Sequence, residues 1–131
     1  MTAVTTTDAE RSSRRRFAPA IAWGALMLLL TSLPGRAIPA VPVAHIDKLV
    51  HATMYAILAA LVASAIAGPR RARALAGVVA FASLYGAADE WHQQFIPGRS
   101  QDRVDWAADT VGAALGVLFI AAARARREHT T

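Results

Sequence analysis

The chain has 131 residues, 55% of them hydrophobic, and a formal net charge of +5. The length allows one small domain, and a mean hydropathy of +0.35 with the apolar residues grouped in blocks is too apolar for an ordinary soluble domain of this size. The absence of cysteine excludes disulfides and thiolate metal sites, and Arg clusters placed beside apolar runs are accounted for by charge bias around membrane spans without any nucleic-acid partner.

Met1 to Arg16 is polar and rich in Thr, Ser and Arg, which predicts a disordered, basic cytoplasmic tail over 1–16. Arg14-Arg15-Arg16 followed by Phe17 to Leu33 has the order of a signal peptide, but no small-x-small cleavage pattern follows. A retained first transmembrane helix is expected over about 17–33. Residues 36–46, with Pro39 and Pro42, read as a Pro-stiffened loop. Asp47 opens a second helix, about 47–67. Gly68-Pro69-Arg70-Arg71-Ala72-Arg73 is a basic turn in which Gly stops one helix and Pro prevents its continuation. A third helix is expected over about 74–94, a short loop with Pro97-Gly98 follows, and a fourth helix spans about 104–123. Arg124, Arg126 and Arg127 belong to a second basic cytoplasmic tail, 124–131.

Each apolar run is about 17 to 21 residues, enough to cross roughly 30 Å of hydrocarbon at 1.5 Å per residue. The expected fold class is therefore all-α: a polytopic membrane protein, a bundle of four transmembrane helices over 17–123. Arg11, Arg14, Arg15 and Arg16, then Arg70, Arg71 and Arg73, then Arg124, Arg126 and Arg127 gather on one side of that topology. The other side holds only Arg36, Lys48, Arg99 and Arg103. Both termini are thus expected in the cytoplasm and the protein in the cell membrane as a multi-pass chain.

The same topology collects polar residues at the outer end. Asp47, His51 and either Met54 or Tyr55 recur at helical spacing on one face of the second helix. A carboxylate four residues before a His can fix its tautomer and leave the other ring nitrogen for a metal, a proton or a phosphate. Asp47 can equally be a plain helix cap. On the third helix Glu90 and Gln93 share a face, while Asp89 lies about 100° round from Glu90. Asp89 and His92 can simply meet headgroups and water. On the fourth helix Asp105, Asp109, Gly112 and Gly116 form one stripe, and the small-xxx-small glycine spacing turns that stripe toward protein. Asp109 lies more than a turn inside the helix, so capping does not explain it, and a buried Asp needs a partner, with His51, Arg99 and Gln93 as candidates. Arg99, after Pro97-Gly98, can fork onto a carboxylate or a phosphate.

These residues resemble the VanZ-like family of small bacterial membrane proteins. The matching pieces are Asp47-Lys48-x-x-His51-x-x-x-Tyr55, Asp89-Glu90-x-x-Gln93, Pro97-Gly98-Arg99, and Asp105-x-x-x-Asp109-x-x-Gly112-x-x-x-Gly116, spread over about residues 45 to 120. Many relatives carry Asn at the place of Asp109, which makes the site more acidic here. The resemblance implies a polytopic membrane protein of the cell envelope, linked in the family's namesake to low-level resistance to glycopeptides such as teicoplanin.

Three functional readings follow. In the first, an outward-facing polar pocket, including Lys48 and Asp105, alters access to the envelope or supports a partner. In the second, an intramembrane enzyme acts on a lipid-linked envelope precursor or headgroup, with His51, Glu90 and Asp109 as the catalytic set. In that reading a divalent metal is held by Asp47, His51, Glu90 and Asp109, and Arg99 meets a phosphate. In the third, the polar cluster is a packing lock in a structural bundle.

Overall fold

A computed structural model describes residues 3–39, 45–66 and 71–130. Pro42 and the Gly68–Arg70 turn lie outside the described residues. The described chain contains four helices: α1 (Ala3–Thr31), α2 (Ile46–Ala65), α3 (Arg71–Gln93) and α4 (Arg103–Glu128), with a 3-10 turn at Gly35–Ala37 between α1 and α2. No strand occurs among the described residues.

Three of these helices reach beyond the bounds that the sequence pattern suggests: α3 begins at Arg71, so Arg71–Arg73 of the expected basic turn are its first residues, and α1 and α4 extend further still. α1 is helical from Ala3, through most of the segment expected to be a disordered tail. Residues 3–16 contain no Gly or Pro, and once the apolar run beyond them is helical, extension costs little compared with nucleation. α4 likewise continues through Ala125 to Glu128 into the second expected tail. Ala, Arg and Glu are strong helix formers, and Arg126 and Arg127 in the last turn complement the helix dipole.

Among the described helices, α2 and α4 are the two long and apolar enough to cross a membrane. α1 and α3 fall short of the same standard. Within α1 the apolar part is confined to Phe17–Thr31 after three consecutive arginines, and in α3 it ends where Asp89 and Glu90 begin.

α2 and α4 form the close pair at the centre of the bundle. A Cβ on Gly112 or on Gly116 would overlap the backbone carbonyl of Ala52 or of Ala56 respectively, so the two glycines allow near backbone contact. The core around this seam is built from small residues, Ala59, Ala63, Ala82 and Ala113, with Met27, Tyr55, Leu58, Val78 and Val117. Large apolar side chains point outward: Leu84 is 72% exposed, Phe119 69% and Ile21 68%. Small residues inside and bulky ones outside suit a bundle whose surroundings are themselves apolar.

Side-chain-to-backbone bonds attach the outer helices. Trp23 Nε1 donates to the Met54 carbonyl at 2.9 Å and the Tyr85 hydroxyl to the Gly24 carbonyl at 2.9 Å, joining α1 to α2 and α3. Trp106 Nε1 donates to the Ser83 carbonyl at 3.0 Å, joining α4 to α3. At the far end Arg124 Nη2 donates to the carbonyls of Ala63 and Ser64, each at 3.0 Å, and of Ile66 at 3.1 Å. One guanidinium thus binds three backbone carbonyls at the C-terminal end of α2. The up-down course of the chain brings the end of α1, the start of α2, the end of α3 and the start of α4 to one end of the bundle.

Candidate functional site

His45 is the N-cap of α2, with φ 63 and no side-chain cap bond. Asp47 is therefore not the cap of α2. It sits in the first turn, where its charge favours the helix N-terminus. α4 is capped by Asp102, whose Oδ1 accepts from the Val104 amide at 2.7 Å. These two starts set the register of the site: His51 lies about a turn inside α2, and Asp105 and Asp109 lie one turn apart on α4.

His51 is the centre. Its Nδ1 lies 2.9 Å from Asp109 Oδ1, and the Asp109 side chain is 0% exposed. Its Nε2 lies 3.9 Å from Asp105 Oδ2. The carboxylate expected to orient the imidazole from within α2, Asp47, does not do so: its side chain is 58% exposed and turns to Lys48. Asp109 takes that role from the neighbouring helix. Fully buried, with Gly86 against its Oδ2, it has no space to turn away.

Glu90 comes from α3 and is 2% exposed. Its Oε2 accepts from the Asp102 backbone amide at 2.7 Å and its Oε1 from Gln93 Nε2 at 3.4 Å. His51, Glu90 and Asp105 each present a ligand atom, all within 4.8 Å of one another. Of the expected metal set, His51 and Glu90 belong to this group. Asp105 stands where Asp47 and Asp109 were expected.

Lys48 neutralises the rim. Its Nζ lies 2.8 Å from Asp47, 2.6 Å from Asp102 and 2.6 Å from Asp105. Beside it the Asp102 carboxyl, outside the helices, is held below its ordinary value, chiefly by the Lys48 hydrogen bond and then by the Val104 amide.

Arg99 meets no carboxylate among the described residues. Its Nε donates to the Leu33 carbonyl at 3.3 Å, its Nη2 to the Leu30 carbonyl at 3.3 Å, and its Nη1 to Gln93 Oε1 at 3.5 Å. It caps the end of α1 from the loop after α3. Tyr55 is 1% exposed and packs its ring 6.1 Å from that of Tyr85; its hydroxyl has no hydrogen-bond partner among the described residues.

Asp89, expected at the surface, is 5% exposed. Thr31 Oγ1 donates to its Oδ1 at 2.7 Å and Gln93 Nε2 to its Oδ2 at 3.3 Å. The 100° between Asp89 and Glu90 is resolved by two different neighbours, Thr31 of α1 for one and the Asp102 amide just before α4 for the other. Thr31, Asp89 and Asp102 are the site residues that pattern reasoning did not select. The one local signal was Asp102 just before an apolar helix, a favoured cap position.

Chemically, the group offers one imidazole nitrogen and two carboxylates, with the imidazole's second nitrogen fixed by a buried carboxylate. That is the donor set of a hard or borderline divalent cation with an oriented histidine ligand. The same arrangement can hold a proton between His51 and Asp109.

The VanZ/LLP1 family model matches residues 4–124. The match spans all four helices and nearly the whole chain, so the chain belongs to that family. Neither a curated protein nor a solved structure matches it.

Proposed function

We propose that this chain is a multi-pass VanZ-like protein of the cell envelope that acts on a lipid-linked or phosphate-bearing headgroup at the bilayer surface. All four helices then lie in the membrane with both termini in the cytoplasm, and the His51 pocket faces outward. The bias of Lys and Arg supports that orientation. Ionisable groups kept this close to apolar segments mark functional positions.

The observation that carries the reading is the convergence of His51, Glu90 and Asp105 within 4.8 Å, from three separate helices. His51, Glu90 and Asp105 would hold a divalent cation, which would polarise a phosphoryl oxygen of the headgroup. Asp109 holds the imidazole by Nδ1 and directs Nε2 into the pocket. Glu90 is fixed by the Asp102 amide and Gln93, so its carboxylate is positioned before a substrate arrives. Lys48 shares Asp105 and limits the negative charge at the rim. A change in susceptibility to teicoplanin-type glycopeptides is the envelope phenotype such an activity would produce.

The test is complementation. Cells lacking the protein are supplied with wild type, His51→Ala or Glu90→Gln, and envelope lipids and glycopeptide susceptibility are profiled. The proposal expects wild type to restore the lipid profile and both variants to fail while their protein levels in the membrane stay normal. Variants that restore the profile would overturn it. Variants that fail because the protein does not accumulate would identify the cluster as a packing lock.

A further inference from the structure

α1 leaves part of its apolar face uncovered. Between α1, α2 and α3 runs a groove of about 530 Å³, lined by Ile21, Gly24 and Leu28 of α1, Leu58 and Val62 of α2 and Phe81 of α3. That volume falls within the range of small-molecule sites. Leu58 is buried at the floor, while Ile21, Leu28 and Phe81 stand exposed along the edges. Tyr85 also borders the groove, and its hydroxyl is already engaged, donating to the Gly24 carbonyl at 2.9 Å. An occupant therefore meets hydrocarbon side chains along the whole length, which suits a lipid tail.

The two ends of the groove differ in charge. At one end Phe17 lines it, directly after Arg14, Arg15 and Arg16, all three exposed. Arg14 stands seven and fourteen residues before Ile21 and Leu28, so it shares the groove face of α1, with Arg15 and Arg16 beside it. From Asp8 to Arg16 the helix holds four arginines against two acids, and Glu10 lies about one turn further from the groove than Arg14. At the other end Leu28 and Tyr85 are followed by Thr31 and Asp89, whose side chains meet at 2.7 Å. An anionic headgroup is thus favoured beside the arginines and opposed beside Asp89; basic clusters next to a membrane helix attract such headgroups. A second copy fits worse. Copies in one membrane share an orientation, so a neighbour seated here would bring its own arginines to the same level, and like charges would oppose it.

We propose that the groove docks the tail of an anionic glycerophospholipid, whose phosphate lies on Arg14, Arg15 and Arg16. Its placement in the cytoplasmic leaflet rests on the membrane orientation proposed above; the groove and the charge at its mouth do not depend on the His51 group.

The test is native mass spectrometry of the full chain in detergent, offered dioleoyl phosphatidylglycerol or dioleoyl phosphatidylcholine, which share tails and differ in net charge. Wild type is expected to retain the anionic lipid at least about tenfold more strongly, and Arg14→Gln to weaken that retention about fivefold, the effect of one arginine at a membrane surface. Replacing Arg14, Arg15 and Arg16 together with Gln should erase the preference. Ala25→Trp and Ile21→Trp fill the groove from its exposed rim and should lower retention of both lipids with the arginines intact, while the unfolding curve in lipid-free detergent stays that of wild type. Equal retention of the two lipids by wild type, or full retention in both Trp variants, overturns the proposal. A dimer that the Trp variants break assigns the groove to a second copy and overturns it too. Glu90→Gln, which does not line the groove, should retain phosphatidylglycerol as wild type does. If that variant also restored the envelope profile, the function reading would fall while the groove stood, so the two failures are told apart.

Discussion

His51 Nδ1 and Asp109 Oδ1 sit 2.9 Å apart across the α2–α4 seam, and no part of the Asp109 side chain reaches solvent. The pair joins the two helices that also share the Gly112 and Gly116 contacts. Chemistry and packing thus meet along one stripe of α4.

Removing one member should leave the other buried without a partner. His51→Leu is expected to lower stability by about 3 kcal/mol or more, the usual scale for breaking a buried charged pair. Asp109→Asn keeps a hydrogen-bonding group in the same shape and should cost less. Unfolding of the purified protein by a denaturing detergent measures both, and equal losses would contradict the pairing.

The donor set makes a sharp contrast among three carboxylates. Asp105→Asn should weaken divalent-cation binding by at least about tenfold, and Asp109→Asn, acting through the imidazole, by about 10- to 100-fold. Asp47→Asn should leave it unchanged, since Asp47 turns away to Lys48. Equilibrium dialysis against manganese distinguishes the three; a large loss in Asp47→Asn would contradict the assignment.

The helix seam predicts a steric effect independent of any chemistry. Gly112→Val places a side chain into the Ala52 carbonyl and should destabilise by about 1–3 kcal/mol, as overpacking does. A Cβ at Gly77 would meet no described atom within 4 Å, so Gly77→Ala should be neutral or stabilise by up to about 1 kcal/mol. The same detergent unfolding curves report both.

The loop before α4 should respond to acid. Lys48 holds the Asp102 carboxyl below its ordinary value of 3.8. A group with a lowered folded value contributes stability above its unfolded value and loses it as pH falls through the folded one. The Val104 amide, which donates to Asp102 at 2.7 Å, should therefore stay protected from hydrogen exchange at about pH 5 and open only below 3.8. Lys48→Met should bring that opening to a higher pH. An unchanged onset would show that Lys48 does not set the Asp102 charge.

The sequence made the helix count and the polar cluster legible for a physical reason. Glycine, proline and arginine end apolar runs, and carboxylates near such runs are too costly to be accidental. His51, Glu90, Gln93 and Asp109 were accessible from spacing alone. The partners were not. Asp47 stands four residues from His51, the right interval on one helix, yet Asp109 holds the imidazole from 58 residues away. Local periodicity cannot weigh a neighbour on the same helix against one delivered by packing. Arg99 illustrates the same limit: its fork was expected on an anion, and it found the backbone carbonyls of Leu30 and Leu33 at the end of α1 instead. The helical extension at the start of α1 was hidden because a polar composition says nothing about cooperativity with the apolar run that follows.

The two turns at the polar end press backbone against backbone. The Gly35 amide donates to the Pro97 carbonyl at 3.0 Å, and a Cβ at Gly35 would run into the Gly98 carbonyl. During synthesis the first of these turns leaves the ribosome well before the second, so the earlier hairpin has to wait, incompletely clasped, for the later one. Maturation of the pocket is accordingly a late step in biogenesis, and a reporter tag inserted at Gly35 would interrupt it where a tag at either end of the chain would not.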